Sequence, residues 1–123
     1  MTYQEVATMI SSMVGTGTGI NGAAYYAFPE GKAPAPPFIC YYYPAQLGFA
    51  ADNEIYTPEE ELVIELYTET KDITKEQAVT SVLNTNGLVY DRVEAWIPDE
   101  RLLQNTFTTA VLITDPDPEP VTT

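Results

Sequence analysis

Hydrophobic residues recur with two different periods along the chain, and each period predicts a different kind of element. Near the N-terminus they recur at intervals of three and four residues, which is the spacing of one face of a helix. Thr2 and Glu5 have the spacing of a capping box, so we expect the helix to begin at this point. The predicted apolar stripe consists of Val6, Met9, Ile10, Met13 and Val14.

The centre of the chain changes to a period of two. Leu62, Ile64 and Leu66 alternate with the residues between them, several of which are polar. This alternation is typical of a strand that buries one face. The segment therefore predicts a strand at the centre of the fold.

A helix and a further strand follow this central strand. Thr74 and Gln77 again have capping-box spacing, which predicts that the helix begins at Thr74. Gly87 stands just past the expected end, where helices often finish with a residue at positive φ. A second strand is expected over residues 88–97. The connection between the two strands fits a parallel crossover and an antiparallel sheet with a helix across one face equally well.

The remaining segments predict a hairpin and a last strand. The aromatic runs at residues 23–28 and 38–43 suit strands, and the proline-rich stretch 29–37 predicts a long hairpin tip between them. Residues 44–56 have no clear period and are expected to be irregular. A last strand is expected over residues 104–113, with alternate residues facing the core.

Together these elements predict an α+β fold, with a mostly antiparallel, mixed β-sheet of about five strands and two α-helices packed on one face. Residues 1–114 are expected to form a single domain. Residues 115–123 alternate acids with prolines. Because such a segment can neither bury apolar surface nor donate a full ladder of amides, we expect a flexible acidic C-terminal tail.

The charge of the chain limits the partners that it can bind. Eighteen acidic residues against five basic ones give a net charge of −13 over 123 residues. Such a surface repels phosphates, so we expect no sequence-specific nucleic-acid binding. No apolar run approaches the roughly 20 residues of a membrane span, which predicts no membrane partner. The single cysteine fits a reducing, intracellular setting.

The residue types that carry most catalysis are scarce. The sequence has no histidine, which removes the commonest general base and the commonest metal ligand. Cys40 is therefore expected to be a small buried hydrophobe. Glu59, Glu61, Glu65 and Glu69 would share one face of a strand and could hold a divalent cation, but a solvated sheet face gives the same pattern. We predict a protein that is not an enzyme and has no cofactor and no metal site.

Aromatic residues are concentrated in the predicted hairpin. Cross-strand pairing of the rings accounts for such a cluster. A subunit interface also favours tyrosine, because its ring packs while its hydroxyl can still form hydrogen bonds. Trp96, near a strand end, allows the same two interpretations. The tyrosines concerned are Tyr25, Tyr26, Tyr41, Tyr42 and Tyr43.

Three short motifs follow one another through the second half of the chain. Residues 51–56 read ADNEIY, residues 64–72 read IELYTETKD, and residues 90–100 read YDRVEAWIPDE. In this order, and with the proline-rich segment before them, they resemble the pattern of small phage and prophage proteins of the tail terminator, or tail completion, family. The resemblance extends over most of residues 20–114.

This resemblance implies a structural role in a virion. Proteins of that family form homo-oligomeric rings, commonly hexamers, on the end of the tail tube, where they stop its growth and offer a surface for head–tail joining. The implied partners are other copies of the chain, the tail tube protein and the head–tail connector, and genomic DNA would pass through the ring. The implied location is the tail or neck of the virion, assembled in the cytoplasm of a bacterial host.

The sequence also provides a hypothesis for the contact surface. Leu47 and Phe49 lie in the segment without a period, and apolar residues in such loops often bind a partner. The predicted interface residues are Leu47, Phe49, Asp52, Asn53, Tyr56, Tyr42 and Trp96. A head–tail connector or stopper, or another minor tail component, fits the sequence as well. An acidic inhibitor that imitates DNA is a third interpretation.

Overall fold

The computed structural model describes residues 1–47 and 59–114, and it has the α+β architecture that the sequence predicts. The strands form a five-stranded sheet in the order β1-β2-β3-β5-β4. Its neighbouring strands are antiparallel except for β1 and β2, so the sheet is mixed. The elements are α1 (Tyr3–Ser11), β1 (Ala23–Tyr25), β2 (Phe38–Leu47), β3 (Glu59–Thr68), α2 (Ile73–Thr85), β4 (Tyr90–Ile97) and β5 (Leu102–Leu112).

The central strand–helix–strand unit combines the two connections that the sequence left open. Strands β3 and β4 are each antiparallel to β5, and β5 lies between them. They are therefore parallel to each other without being neighbours. Helix α2 makes the crossover between them, and β5 is inserted into the gap, which is a split βαβ arrangement.

Both helices pack on one face of the sheet, as predicted. The alternating residues Leu62, Ile64 and Leu66 of β3 are fully buried beneath them. Phe107 of β5 pairs with Ile64 across the ladder and belongs to the same buried cluster. The core residues that the two helices contribute are Val6, Met9 and Ile10 from α1 and Val79 and Leu83 from α2, with Met13 just beyond α1.

The capping prediction is confirmed for α1 and is wrong for α2. The Thr2 hydroxyl accepts a hydrogen bond from the Glu5 amide at 3.0 Å, and the Glu5 carboxylate accepts one from the Thr2 amide at 2.9 Å. Helix α2 begins two residues earlier than expected, because Asp72 is its N-cap and accepts from the Lys75 amide at 3.2 Å. A carboxylate at this position caps well and also interacts favourably with the positive end of the helix dipole.

The predicted hairpin between the first two strands is also wrong, because β1 and β2 pair in parallel. Tyr26 has φ of 74° and turns the chain out of β1. The connection through residues 27–37 then returns to the starting end of β1, and it is about as long as a parallel connection requires. Periodicity indicates strands, but it carries no information about their relative direction.

Residues 44–47, which the sequence analysis expects to be irregular, belong to a strand instead. Strand β2 continues to Leu47, with a bulge between Tyr42 and Ala45. Pro44 is tolerated here because β1 pairs with β2 only as far as Tyr41, which leaves this part of β2 without a partner on its outer side among the described residues.

Candidate interaction surface

The face of the sheet opposite the helices carries the predicted interface residue Tyr42. Tyr42 pairs with Val63, which points away from the helices because its neighbours Leu62 and Ile64 point towards them. Its hydroxyl donates a hydrogen bond to Glu65 at 2.9 Å, and Tyr67 donates to the same carboxylate at 2.7 Å. Burial, followed by the hydrogen bond to Glu65, raises the pKa of Tyr42 to about 12. Tyr42 is therefore held in place by Glu65.

Leu47 lies at one end of this face in a row of three paired residues. It stands opposite Glu59 on β3, and Glu59 stands opposite Leu112 on β5. The side chains of Leu47 and Leu112 are 51% and 49% exposed. The row is thus a small apolar surface interrupted by one carboxylate.

Four of the predicted interface residues belong to the part of the chain that follows Leu47. They are Phe49, Asp52, Asn53 and Tyr56, and they lie outside the described residues. Their assignment to an interface stays a prediction.

Trp96 lies at the other end of the sheet from Leu47. It pairs with Leu103, which in turn pairs with Thr68 at the far end of β3 from Glu59. The distance along β3 is roughly 30 Å at the usual rise of a strand. The indole is 49% exposed and lines a cleft of about 580 Å³ together with Pro36, among others. The structure therefore does not bring Trp96 together with Leu47.

Two further exposed apolar side chains lie at the other edge of the sheet, close to strand β4. Val89, immediately before β4, is 88% exposed, and Val93 within it is 66% exposed. Strand β4 is the last in the sheet, so its outer edge has no strand partner among residues 1–47 and 59–114. Edge strands with exposed apolar residues are frequent sites of association between chains. Sequence reasoning overlooked both valines, because the edge position of β4 depends on the strand order, which a local sequence pattern does not show.

The tyrosines that the sequence singled out form a cluster at the β1 edge. Tyr25 contacts Tyr41 and Tyr43, with ring centroids 5.4 and 6.1 Å apart, and Tyr3 of α1 contacts Tyr43 at 5.4 Å. Cross-strand pairing therefore accounts for part of the cluster, in a parallel rather than a hairpin geometry. Tyr25 remains 53% exposed, so the cluster also reaches the surface.

A buried carboxylate, Glu60, lies beside these rings. It is only 6% exposed and accepts hydrogen bonds from the Tyr3 hydroxyl at 2.6 Å and the Gln46 amide at 2.8 Å. Sequence reasoning assigned the acids of β3 to the opposite face and missed Glu60. The signal was present, because Glu60 is in phase with Leu62 and Ile64 on the buried side.

A second buried carboxylate joins the elements of the split βαβ unit. Glu76 of α2 is 7% exposed and pairs with Lys71 at 2.8 Å. It also accepts a hydrogen bond at 3.2 Å from the amide of Asn105, which is fully buried on β5. Arg92 of β4 donates a hydrogen bond to the side-chain oxygen Oδ1 of Asn105 at 2.5 Å. Lys71 and Arg92 both contact Glu94, and these contacts lower the pKa of Glu94.

The acidic face of β3 offers no cation cage in the part of the chain that the structure covers. Within it, three or more side chains suited to a metal ion do not come together. Glu65 is occupied by two tyrosine hydroxyls, as described above. Cys40 is buried as predicted, and burial raises the pKa of its thiol, which makes the thiol less reactive.

None of the helices in the described ranges is long and apolar enough to cross a membrane.

Comparisons with known proteins find a likeness in structure. No protein-family model and no curated protein matches the chain. Among solved structures, the chain is similar to a chain of the virion of a native gene transfer agent particle. The two are 18% identical, the match covers 89% of this chain and 90% of that chain, and the TM-score is 0.54. At this level of identity, the likeness shows a shared fold.

Proposed function

We propose that the chain is a structural protein of a phage-like virion, and more specifically a tail terminator that caps the tail tube as a homo-oligomeric ring. The observation that carries the proposal is the fold, which matches a chain of a gene transfer agent virion over nearly the full length of both chains. The motifs at residues 51–56, 64–72 and 90–100 point to the same class of protein. A fold alone does not determine a function, so assembly has to be tested directly.

The distribution of exposed apolar residues is consistent with a ring. Subunits of a cyclic ring make head-to-tail contacts, in which two different surfaces of the same chain meet. Leu47 on β2 and the β4 edge with Val89 and Val93 provide two such surfaces, and strands β3 and β5 lie between them. Association through these surfaces would bury side chains that are about half to nine-tenths exposed in the single chain.

The acidic composition is consistent with a channel for DNA. A ring at a tail end has to let DNA pass without holding it, and like charge reduces attraction to phosphates. On this proposal, acidic residues outside the contact surfaces, such as Glu61 on the helix-free side of β3, face the lumen. If an image of the ring placed these residues on its outer rim, the lumen assignment would be wrong.

The first test is light scattering on a sizing column across a concentration series, followed by negative-stain imaging. A discrete ring of about six subunits is the expected result, since closed rings of identical subunits have a fixed number of copies. A monomer at every concentration would favour a connector or stopper that assembles only on docking. Competition with DNA for a nuclease or repressor would instead favour the DNA-mimic interpretation.

A surface substitution tests the contact assignment within the same experiment. We expect Leu47→Ser to leave the chain folded and to prevent ring formation, because its side chain is 51% exposed and adds little to the core. The matched control is Ile73→Ser at the start of α2, another apolar residue that is 58% exposed and lies outside both proposed surfaces. Rings formed equally well by both variants would remove Leu47 from the interface.

A further inference from the structure

A cavity of about 470 Å³ opens at the tyrosine-rich edge of the sheet, and its lining combines aromatic rings with a carboxylate. Its size falls in the range of small-molecule and side-chain pockets. The rings contact one another at centroid distances of 5.4 to 6.1 Å, so they support each other in a fixed arrangement. The lining residues are Tyr3, Tyr25, Tyr41, Tyr43 and Glu60, and we refer to this cavity as the tyrosine pocket.

The carboxylate of the tyrosine pocket has hydrogen-bond partners but no cationic partner among residues 1–47 and 59–114. The hydrogen bonds that Tyr3 and Gln46 donate to Glu60 go to the same oxygen, Oε2. No ion pair joins Glu60 to any basic residue in the described ranges. A buried carboxylate without a counter-charge is costly, and a cation placed beside it lowers that cost.

The aromatic walls favour the same kind of ligand. The face of a tyrosine ring carries partial negative charge and attracts ammonium and guanidinium groups within about 6 Å of its centroid. Burial raises the pKa of Tyr41 and of Tyr43, so both rings stay neutral near neutral pH and keep this property. Rings and carboxylate together would attract a cation and repel an anion.

We propose that the tyrosine pocket binds the ammonium or guanidinium group of a lysine or arginine side chain from a different protein. The charge of the chain favours a foreign partner over a second copy. Three of its five basic residues, Lys71, Lys75 and Arg92, already form ion pairs within the chain. A second copy therefore has only two other basic residues to offer, whereas a chain with a net charge of −13 attracts a basic surface of another protein.

This inference does not depend on the proposed virion role. Binding of a cation by the single chain requires no ring, and a ring requires no cation in the tyrosine pocket. Failure of one therefore leaves the other in place.

The test uses single amino-acid probes and the full chain. Nα-acetyl-lysine amide and Nα-acetyl-arginine amide are titrated at constant ionic strength while the aromatic resonances are followed by NMR. The expected result is that the ring resonances of the tyrosines in the pocket shift and reach saturation with either probe. The neutral analogues with norleucine and citrulline side chains should give no saturable shift. Equal binding of charged and neutral probes would overturn the proposal in favour of an apolar groove.

Two pairs of variants identify the binding groups. Glu60→Gln should weaken binding of the charged probes roughly tenfold, since a hydrogen bond to a charged group contributes more than one to a neutral group. Its control, Glu61→Gln, removes the same charge one residue away and should have little effect. Tyr25→Ala should weaken binding about threefold, whereas Tyr67→Phe, outside the pocket, should not. Equal effects of Glu60→Gln and Glu61→Gln would mean non-specific attraction and would overturn the proposal.

Self-association decides between a foreign partner and a second copy. The remaining basic residues, Lys32 and Arg101, form no ion pair within the described ranges. If Lys32→Gln or Arg101→Gln reduced self-association to the same extent as Glu60→Gln, the occupant would be another copy of the chain. A foreign partner predicts that Glu60→Gln, Lys32→Gln and Arg101→Gln all leave self-association unchanged, while Glu60→Gln still weakens binding of the charged probes.

Discussion

Removal of the Glu76 carboxylate is the perturbation that tests the packing of the split βαβ unit most sharply. In Glu76→Ala, the fully buried amide of Asn105 loses its acceptor, at a cost of about 1–3 kcal/mol. Lys71 and Arg92 also lose a partner, but their side chains are 44% and 39% exposed and can be hydrated instead. Both ion pairs are therefore screened by solvent and add little to stability.

The expected loss in the free energy of unfolding for Glu76→Ala is therefore about 1–3 kcal/mol, most of it from the Asn105 amide. This loss is smaller than the roughly 3–5 kcal/mol typical when one partner of a fully buried ion pair is removed, because both cations here reach solvent. Glu76→Gln keeps an acceptor for the Asn105 amide, so its expected loss is only about 1 kcal/mol.

The assay is urea denaturation of the full chain followed by circular dichroism. The control is Gln77→Ala, on the exposed side of the same helix, which should stay within about 0.5 kcal/mol of the parent chain. A Glu76→Ala variant as stable as Gln77→Ala would refute the reasoning, since the carboxylate would then not satisfy Asn105. Equal losses of stability for Glu76→Ala and Glu76→Gln would mean that the charge of Glu76, rather than its hydrogen bond to Asn105, accounts for most of its contribution to stability.

Further predictions concern single residues with a defined local environment. Gly87→Ala should lower the free energy of unfolding by about 1 kcal/mol, because φ there is +71°, whereas Gly17→Ala should be nearly neutral in urea denaturation. Thr68→Val should leave the melting temperature unchanged or raise it, because the Thr68 hydroxyl is buried without a hydrogen-bond partner in the described ranges. Thr109→Val should lower the melting temperature, since the Thr109 hydroxyl donates to the Val89 carbonyl at 2.6 Å. A lower melting temperature for Thr68→Val than for Thr109→Val would contradict these two hydrogen-bond assignments. The pKa of Tyr42 is raised from 10.0 to about 12, so its contribution to stability is complete below pH 10 and is lost as pH rises through 12. The difference in tyrosinate absorbance between the parent chain and Tyr42→Phe should therefore appear near pH 12, and a difference that is already complete near pH 10 would contradict this shift.

Local patterns in the sequence are sufficient to predict the elements that face the core. The stripe of α1 and the alternation of β3 are confirmed because each element buries one continuous face, and burial imposes the period. The start of α2 was missed because Asp72 and Thr74 are both good caps. Two residues of difference in the start of a helix leave its buried face unchanged, so the pattern could not decide between them.

Features that depend on distant partners could not be predicted in the same way. The direction of β1 relative to β2 is set by pairing and by the path of the connection, neither of which appears in a local period. Glu60 is satisfied by Tyr3, which is 57 residues away in sequence. Glu76 is in phase with Val79 and Leu83 and so could be placed on the buried face, but its partner Asn105 is 29 residues away. Phase can place an acid on a buried face, but only its distant partners explain why it is stable there.

The predicted interface residues do not all lie together in the fold. Tyr42, Leu47 and Trp96 lie on the surface or close to it, but Trp96 is at the opposite end of the sheet from Leu47. Apolar residues in a loop and an aromatic residue at a strand end are both signals of exposure. Neither signal tells which exposed residues share one surface, because that depends on the order of the strands.

The most direct test of the proposed role is electron microscopy of tail tubes assembled with and without the chain. The account predicts that added chain forms a ring on one end of each tube, stops elongation and narrows the distribution of tube lengths. Leu47→Ser should leave the tubes uncapped, while Ile73→Ser should cap them normally. Tubes that keep growing with the folded parent chain present, and that carry no density at their ends, would contradict the terminator role.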